Sequence, residues 1–277
     1  MNSFVFVSDF FAEQIVGGGE LNDYEVCNIL IKRGHDLQRI NSHLFTKNVL
    51  DKQKCYIISN FMNLKEEVKK SIIDYKYIIY EHDHKYIKTR NPALYKDFIA
   101  PKEQIVNEYF YKNALGVLCQ SDFHTNIMKK NLNIENIINL SGNVWSIESL
   151  EFMRNISNIK KQNRTSILKS NTRHKNTSGA ISYCVSKNEQ YDLISDQDYY
   201  SFLSKMGKNR KFVFLPKTPE TLSRICVEAR MMNMSVAVNN LIGASKEEWY
   251  ALKGEELINY MIQKRDDIVD TIIGLFQ

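Results

Sequence analysis

The chain has 277 residues, of which 43% are hydrophobic and 25% charged, and its formal net charge is +5. This length accommodates one or two domains, and the composition is that of a soluble globular protein. The longest apolar runs, such as Tyr77–Tyr80 and Phe212–Leu215, are too short to cross a bilayer. The N-terminal apolar run has no basic region before it, so no secretion signal is predicted.

The first half of the chain alternates short apolar runs with amphipathic segments. Strands are predicted over Ser3–Ser8, Asp36–Ile40, Cys55–Ser59, Lys76–Glu81, Gly116–Gln120 and Asn136–Leu140. Helices are predicted over Glu20–Arg33, Lys102–Asn113 and Phe123–Asn131. Alternation of strands and helices indicates parallel pairing and a doubly wound α/β sheet.

The pattern pauses near Gly142–Leu150, and a second alternating set follows. Its predicted strands are Thr165–Lys169, Tyr191–Ile194, Lys211–Leu215 and Ser235–Val238. Its predicted helices are Thr177–Ser186, Ser201–Met206 and Glu220–Met232, followed by two or three helices within Lys246–Gln277. We therefore predict a domain boundary near residue 147, with ligands bound beyond the carboxyl ends of the strands.

Five cysteines are scattered along the chain, mostly inside apolar segments: Cys27, Cys55, Cys119, Cys184 and Cys226. Their odd number and irregular spacing fit neither a disulfide framework nor a zinc site. We predict reduced, buried thiols in a cytoplasmic protein.

The first loop of interest contains "QIVGGGELND", Gln14–Asp23. Gly17, Gly18 and Gly19 permit close approach of a ligand to the backbone, just before a predicted helix whose first N–H groups favour anions. The spacing is neither a dinucleotide fingerprint nor a P-loop. The alternative is a flexible turn.

The second is "YEHDHKY", Tyr80–Tyr86, at the end of an apolar strand. Its ionisable run contains His82, Asp83 and His84, which suits substrate contact or proton handling. A hydrogen-bonded polar turn is the alternative. No further His or Cys has a spacing that supports a metal site.

A basic segment without Asp or Glu extends from Phe152 to Asn188. Such a segment attracts phosphates of a small ligand, nucleic acid or acidic lipid, although it can also be a solvated surface. Within it, Lys169, Arg173 and Lys175 precede a predicted helix and are candidates to bind a diphosphate.

The loop and helix of Leu215–Met232 contain two acids, Glu220 and Glu228, with seven residues between them. We predict that both lie on the same helix, roughly on one side, and that the N–H groups near Thr221 meet a phosphate. Glu228 is a candidate to accept hydrogen bonds from ribose hydroxyls, and an exposed helical acid is the alternative. "SDQD" at Ser195–Asp198 is predicted to cap a helix rather than bind a metal.

The acid pair in the second of two α/β domains resembles the signature of family-four retaining glycosyltransferases of the GT-B fold. Further stretches are similar in order: "VGGGELND", "IIYEHDH", "GVLCQSDFHTNIMKKNL" and "NIINLSGNVWS". The resemblance covers roughly Phe4 to Gly243. It implies an α/β fold with two facing Rossmann-like domains and an interdomain cleft.

The resemblance also implies a role for each domain. Residues 1–146 would form the acceptor-side domain, with the final helix, 264–277, a candidate to complete it, and 147–263 would bind the nucleotide sugar. His82 and Glu220 would be catalytic. The donor would be held by Gly18, Gly19, Lys169, Arg173, Lys175, Thr221, Leu222 and Glu228. The sugar or acceptor would lie near Gly17, Asp83, His84 and Asn143.

The implied reaction moves a sugar from a UDP- or GDP-sugar to an acceptor, with retention and without a metal or other cofactor. A surface or lipid-linked glycan is the expected acceptor. A modified base in DNA, such as hydroxymethylcytosine, is the alternative, and a binding protein without turnover is a third. Ser170 stands where the family has an arginine, so either Lys169 or Arg173 would replace it.

Overall fold

The structure, a computed structural model, describes residues 2–277. It divides into two compact units, one comprising the chain up to Val144 together with Arg265–Gln277, the other Trp145–Lys264. Each unit contains one sheet in which every strand pair is parallel. The α/β class predicted from the sequence is confirmed, while the assignment of a role to each domain stays a prediction.

The sheet of the first unit has six strands in the order β2-β1-β3-β4-β5-β6. They are β1 (Ser3–Ser8), β2 (Asp36–Asn41), β3 (Lys54–Ile58), β4 (Tyr77–Tyr80), β5 (Val117–Cys119) and β6 (Ile137–Asn139). The helices are α1 (Gly18–Lys32), α2 (Glu66–Ile72), α3 (Glu108–Lys112) and α4 (Asp122–Asn131).

Successive side chains along these strands point to opposite faces of the sheet, and a separate hydrophobic core forms on each face. Phe4 and Phe6 pack with Val26 and Leu30 of α1, while Val7 and its neighbours pack in the core on the other face. Both faces are covered, which explains why the strands read as nearly continuous apolar runs.

The second unit contains a four-stranded sheet in the order β10-β9-β7-β8. Its strands are β7 (Gln162–Leu168), β8 (Tyr191–Ile194), β9 (Asn209–Phe214) and β10 (Ser235–Val238). The helices are α5 (Ile147–Ser157), α6 (Thr177–Ser186), α7 (Tyr199–Gly207), α8 (Arg224–Met231) and α9 (Gly254–Gly274).

Helix α9 contributes to the core of each unit. Leu257 and Met261 in its first half are buried in the second unit, and Ile268 and Ile272 in its second half are buried in the first. Arg33 of α1 donates to Asp266 at 2.7 Å, on the solvent side of this packing. Within residues 2–277, no helix has the length and apolar character needed to cross a membrane.

All ten predicted strands are present, with ends shifted by a few residues. The helix predicted over Lys102–Asn113 is wrong, because only Glu108–Lys112 is α-helical. Ile105 instead forms an antiparallel bridge with Ile87, which holds this segment extended. Helices α2 and α5 were not predicted. The five cysteines are free and buried, which confirms the predicted thiols.

The packing of α9 predicts that Ile272→Ala destabilises the first unit by about 2–5 kcal/mol, because the side chain is fully buried and its removal leaves a cavity. Chemical denaturation followed by circular dichroism measures this loss. Thr271→Ala is the control, since that side chain is partly exposed and bonds only within its own helix. Equal stability of the two variants would contradict the assignment of residues 265–277 to this core.

Candidate active site

The strand order of each sheet creates a switch point where ligands bind in open α/β folds. In the sheet of the second unit, β7 lies between β8 and β9. The loops after β7 and β9 therefore begin side by side. In the sheet of the first unit, β1 lies between β2 and β3 in the same way, so the loops after β1 and β3 begin side by side.

An ion pair joins the two loops at the switch point of the second unit. Lys175, in the loop after β7, donates from Nζ to Oε1 of Glu220 at 2.8 Å. The lysine Nζ also lies 5.6 Å from the ring centre of Phe214, at the end of β9. Both partners are partly exposed, with 30% and 17% of their side-chain surfaces accessible. A cation and an acid are thus available to a ligand at this edge.

Two further contacts hold the same loops together. The Asn176 side chain donates to the carbonyl of Leu215 at 2.7 Å, and the Lys217 N–H donates to the carbonyl of His174 at 2.8 Å. Since these bonds fix the backbone on both sides of Lys175, the ammonium group is presented from a constrained loop.

Glu220 does not lie on the same helix as Glu228, so that prediction is wrong. Its backbone forms a bridge with Ile242, with the Glu220 N–H donating to Leu241 and its carbonyl accepting from Gly243. The bridge holds Glu220 in extended structure beside the segment that follows β10. The helix α8 begins only at Arg224.

The turn between Glu220 and α8 is compact and strained. Thr221 and Leu222 are buried, and Ser223 has a φ of 75°, a left-handed conformation that is unfavourable for a side-chain-bearing residue. Strain of this kind concentrates at functional sites. The turn leads into the start of α8, where the N–H groups of Cys226 and Val227 donate to the carbonyl of Ser223. A helix start of this kind favours an anion.

Glu228, in the second turn of α8, is only 4% exposed. Its Oε1 accepts hydrogen bonds from the indole of Trp145 at 3.0 Å and the hydroxyl of Tyr199 at 2.8 Å. Arg224 stacks on Trp145 with its guanidinium carbon 4.3 Å from the ring centre, and its Nε lies 3.6 Å from the same oxygen. The solvated helical acid considered as the alternative is therefore excluded.

Lys169 and Arg173 lie on the exposed loop after β7. Within the described residues, neither side chain forms an ion pair or hydrogen bond. Ser170 turns inward, where its N–H donates to the Thr177 hydroxyl at 3.1 Å. That one of the two cations replaces the arginine expected from the resemblance stays a prediction.

The glycine loop of the first unit forms the beginning of α1, with Gly17 as the N-cap and Gly18 as the first helical residue. A Cβ on Gly19 would touch the ring of His82 at 3.5 Å and the amide of Asn60 at 3.6 Å. Glu20 folds back over Gly17, and burial raises the pKa of its carboxyl. The missing side chains keep open the space before His82.

His82 is fixed by a buried polar network. Its Nε2 lies 2.6 Å from the Asp23 carboxylate, and its Nδ1 contacts the amide of Gln120. Asp23 in turn accepts from the Ser59 hydroxyl at 2.5 Å. The ring stacks on Tyr80 at 4.9 Å. Both ring nitrogens therefore have protein partners, and together with the stacking on Tyr80 they fix the orientation of the imidazole.

The neighbours of His82 are held in structural contacts. Asp83 pairs with Lys85 and Arg90; burial opposes its ionisation, but these two cations hold the pKa of its carboxyl well below its usual range. His84 is 1% exposed, and its Nδ1 bonds the Tyr86 hydroxyl at 2.8 Å. Within residues 2–277 the other ring nitrogen of His84, Nε2, has no hydrogen-bond partner. Which of the two histidines lies near a sugar stays a prediction.

Asn143 follows β6 at the same edge and is 2% exposed. Within residues 2–277 its Oδ1 has no hydrogen-bond partner. The next residue, Val144, donates its N–H to the Asn22 side chain at 2.8 Å. An unsatisfied buried acceptor needs a water or a ligand group.

Several residues of these networks were missed from the sequence: Asp23, Asn60, Gln120, Trp145, Tyr199 and Arg224. One signal was available. Asp23 lies three residues before Val26 on the apolar face of α1, where an acid is unexpected. In the part of the chain that the structure describes, no group of three or more His, Cys, Asp or Glu is arranged to hold a metal.

Comparison with solved structures identifies the fold. An α-glucosyltransferase in complex with UDP and DNA containing an HMU base aligns with a TM-score of 0.52 and 10% identity, over 97% of this chain and 94% of that one. Anabaena HepE in complex with UDP and glucose aligns with a TM-score of 0.53 and 11% identity, over 97% and 93%.

A further α-glucosyltransferase structure, in complex with UDP-glucose and DNA containing an abasic site, aligns with a TM-score of 0.50 and 12% identity, over 97% and 90%. No protein-family model and no curated protein sequence matches the chain. The two parallel-sheet units thus have the GT-B glycosyltransferase fold. The cleft expected between them stays a prediction.

Burial of His84 predicts a specific pH dependence of stability. Burial lowers its pKa to about 4, with Lys85 and Arg90 adding to the effect and Asp83 opposing it. Below about pH 6.5 the unfolded chain therefore binds a proton at this residue, whereas the folded chain binds it only below about pH 4. The free energy of unfolding consequently decreases as the pH falls from about 6.5 to about 4.

We expect His84→Gln to reduce this slope by about 1.4 kcal/mol per pH unit, the contribution of one proton. Urea unfolding at several pH values between 7 and 5 measures it. Some slope should remain, because burial also lowers the pKa of His124. An unchanged slope would show that His84 is protonated in the folded protein.

Proposed function

We propose that this protein transfers a sugar from a nucleoside-diphosphate sugar, with UDP as the nucleotide, to an acceptor. The observation that carries this proposal is the Lys175–Glu220 pair at the switch point of the second unit, directly before α8. The GT-B fold, shared with structures that hold UDP or UDP-glucose, supports it. Retention at the anomeric carbon and independence from metal are parts of the same proposal.

The second unit is proposed to bind the donor through three features. Glu228 accepts from the ribose hydroxyls, with its carboxylate held in position by Trp145 and Tyr199. Lys175 and the first N–H groups of α8 bind the diphosphate. Lys169 and Arg173 extend the positive charge along the same loop.

The chemistry rests on stabilising the leaving group. When the bond between the sugar carbon and the diphosphate breaks, negative charge grows on the diphosphate oxygens. Lys175 and the α8 N-terminus neutralise that charge from positions that exist before the reaction. Phosphate would draw Lys175 away from Glu220, which frees the acid for the sugar hydroxyls.

The first unit is proposed to contact the transferred sugar or the acceptor. Gly18 and Gly19 leave room before His82, whose ring is fixed by Asp23 and Gln120. Asn143 adds an acceptor atom that lacks a partner in the described chain. We assign His82 as the catalytic residue of this unit.

A surface or lipid-linked glycan is the first candidate acceptor. A modified base in DNA is the second, favoured by the similar α-glucosyltransferase structure that contains an HMU base. A base in a duplex would have to be flipped out. Incubation with UDP-glucose and either hydroxymethylated or unmodified duplex, followed by nucleoside analysis, separates the candidates. Five free cysteines support a cytoplasmic location.

Donor binding gives the first test. Glu228→Gln and Lys175→Met should each weaken UDP binding at least tenfold, since a hydrogen bond to a charged group contributes about 1.5–3 kcal/mol. Isothermal titration calorimetry with UDP measures the dissociation constants. Lys253→Met is the matched control, because it removes an exposed lysine of the same unit. If the wild-type protein does not bind UDP, the proposed enzyme activity is contradicted. The alternative of a UDP-binding protein without turnover is then contradicted as well.

The first unit is tested separately by His82→Gln and Asp23→Asn. Each substitution should lower the rate of UDP release from UDP-glucose by about 100-fold. This is the lower limit of the rate enhancement that a positioned proton-transfer group provides. UDP affinity should not change, because Lys175, Glu220 and Glu228 are intact. His43→Gln, at an exposed histidine of the same unit, is the control. Equal turnover in His82→Gln and His43→Gln would contradict the assignment of His82.

A further inference from the structure

A polar groove of about 860 Å³ lies at the opposite edge of the second unit's sheet, where the strands begin. It is lined mainly by long polar side chains: Gln162, Asn163, Arg164, Asn188, Gln190 and Arg210. Lys175, Glu220 and Glu228 are absent from its lining. The groove is therefore distinct from the proposed donor site.

Local structure creates this concave edge. The pairing of β7 with β9 shifts register between Gln162 and Thr165. An irregularity of this kind re-aims side chains at the end of a strand. Here the Arg164 guanidinium lies against the start of β8, where it donates to the carbonyl of Tyr191 at 2.9 Å and to the carboxylate of Asp192 at 2.5 Å. Arg210 is exposed at the start of β9, on the other side of β7.

The groove has an excess of positive charge. Its only acid, Glu189, pairs with Lys211 at 2.6 Å, and Arg164 pairs with Asp192 at 2.5 Å. Arg210 and the adjacent Lys187 are exposed and form no ion pair within residues 2–277. Two cations thus remain available to an external anion.

The placement explains the basic, acid-free segment of the sequence. Its cations divide between the two ends of the sheet. Lys169, Arg173 and Lys175 follow β7 and belong to the proposed donor site, whereas Arg164 lines the groove and Lys187 directly precedes Asn188 of its lining. The donor site therefore accounts for only part of the segment's charge.

The lining chemistry favours a nucleic-acid backbone. Arg, Lys, Asn, Gln, Ser and Thr are the side chains that contact phosphates and sugars in protein–DNA complexes, and all six types line the groove. No aromatic side chain lines it, so base stacking on a single strand is not supported. It also lacks a large apolar side chain to insert into a membrane.

We propose that this groove binds the phosphate backbone of double-stranded nucleic acid without reading its sequence, through Arg210, Lys187 and the neighbouring carboxamides. The inference does not depend on sugar transfer. It identifies a contact surface that would hold the protein on a duplex while the proposed donor site remains free.

The test is binding of a short fluorescent DNA duplex of arbitrary sequence, measured by anisotropy between about 50 and 200 mM salt. The double variant Lys187→Ala/Arg210→Ala removes both unpaired cations. Wild-type protein should lose about tenfold more affinity than the variant across this range, because two more phosphates release counterions. Lys246→Ala/Lys253→Ala is the control, since it removes two exposed lysines outside the groove.

A UDP titration of each variant shows whether its fold and the donor site are intact. DNA binding by Lys187→Ala/Arg210→Ala that equals the control in strength and salt slope would overturn the inference. The same holds if wild-type protein does not bind DNA, or if the double variant instead loses retention on anionic phospholipid vesicles with DNA binding unchanged.

Discussion

The adjacency of β7 and β9 is the constraint on which the proposed donor site depends. Lys175 and Glu220 are 45 residues apart in the chain, yet their side chains meet because each follows one of two neighbouring parallel strands. Because the two strands are parallel, their carboxyl ends, and so the two loops, lie at the same edge of the sheet. The hydrogen bonds of Asn176 and Lys217 then fix them against each other. The proposed diphosphate contact depends on this adjacency, because it combines a basic side chain after β7 with a helix that starts after β9.

Polar groups are buried behind both candidate sites, and their pairing determines what each can do. Lys85 is fully buried, and burial alone would lower its pKa, but the carboxylates of Asp83 and Glu81 outweigh this effect and raise it. Lys85 is therefore protonated, and its role is structural. His82 lies between these residues in sequence but bonds Asp23 and Gln120 instead. Successive residues at a strand end point in opposite directions, which separates the structural acids from the candidate catalytic imidazole.

The sequence contained enough information for the fold class and for all ten strands. Short apolar runs bounded by Gly, Asn and charged residues identify buried strands well. It did not reveal where α8 starts, because the bridge between Glu220 and Ile242 and the left-handed Ser223 depend on tertiary packing. The partners of Glu228 were also invisible. Trp145 lies just before α5 and Tyr199 begins α7, and only the tertiary packing brings both side chains to Glu228.

Burial of the Glu228 carboxylate has a cost that its contacts must offset. A carboxylate in a core destabilises the fold unless it is paired, and an apolar residue of similar size is often as stable or more so. Trp145 and Tyr199 donate to Oε1, and Arg224 lies beside the same oxygen, so the charge is paired. An acid that served stability alone would thus have no advantage over an apolar residue at this position. The proposed ribose contact supplies a reason for the acid, because these neighbours fix the orientation of the carboxylate before a ligand binds.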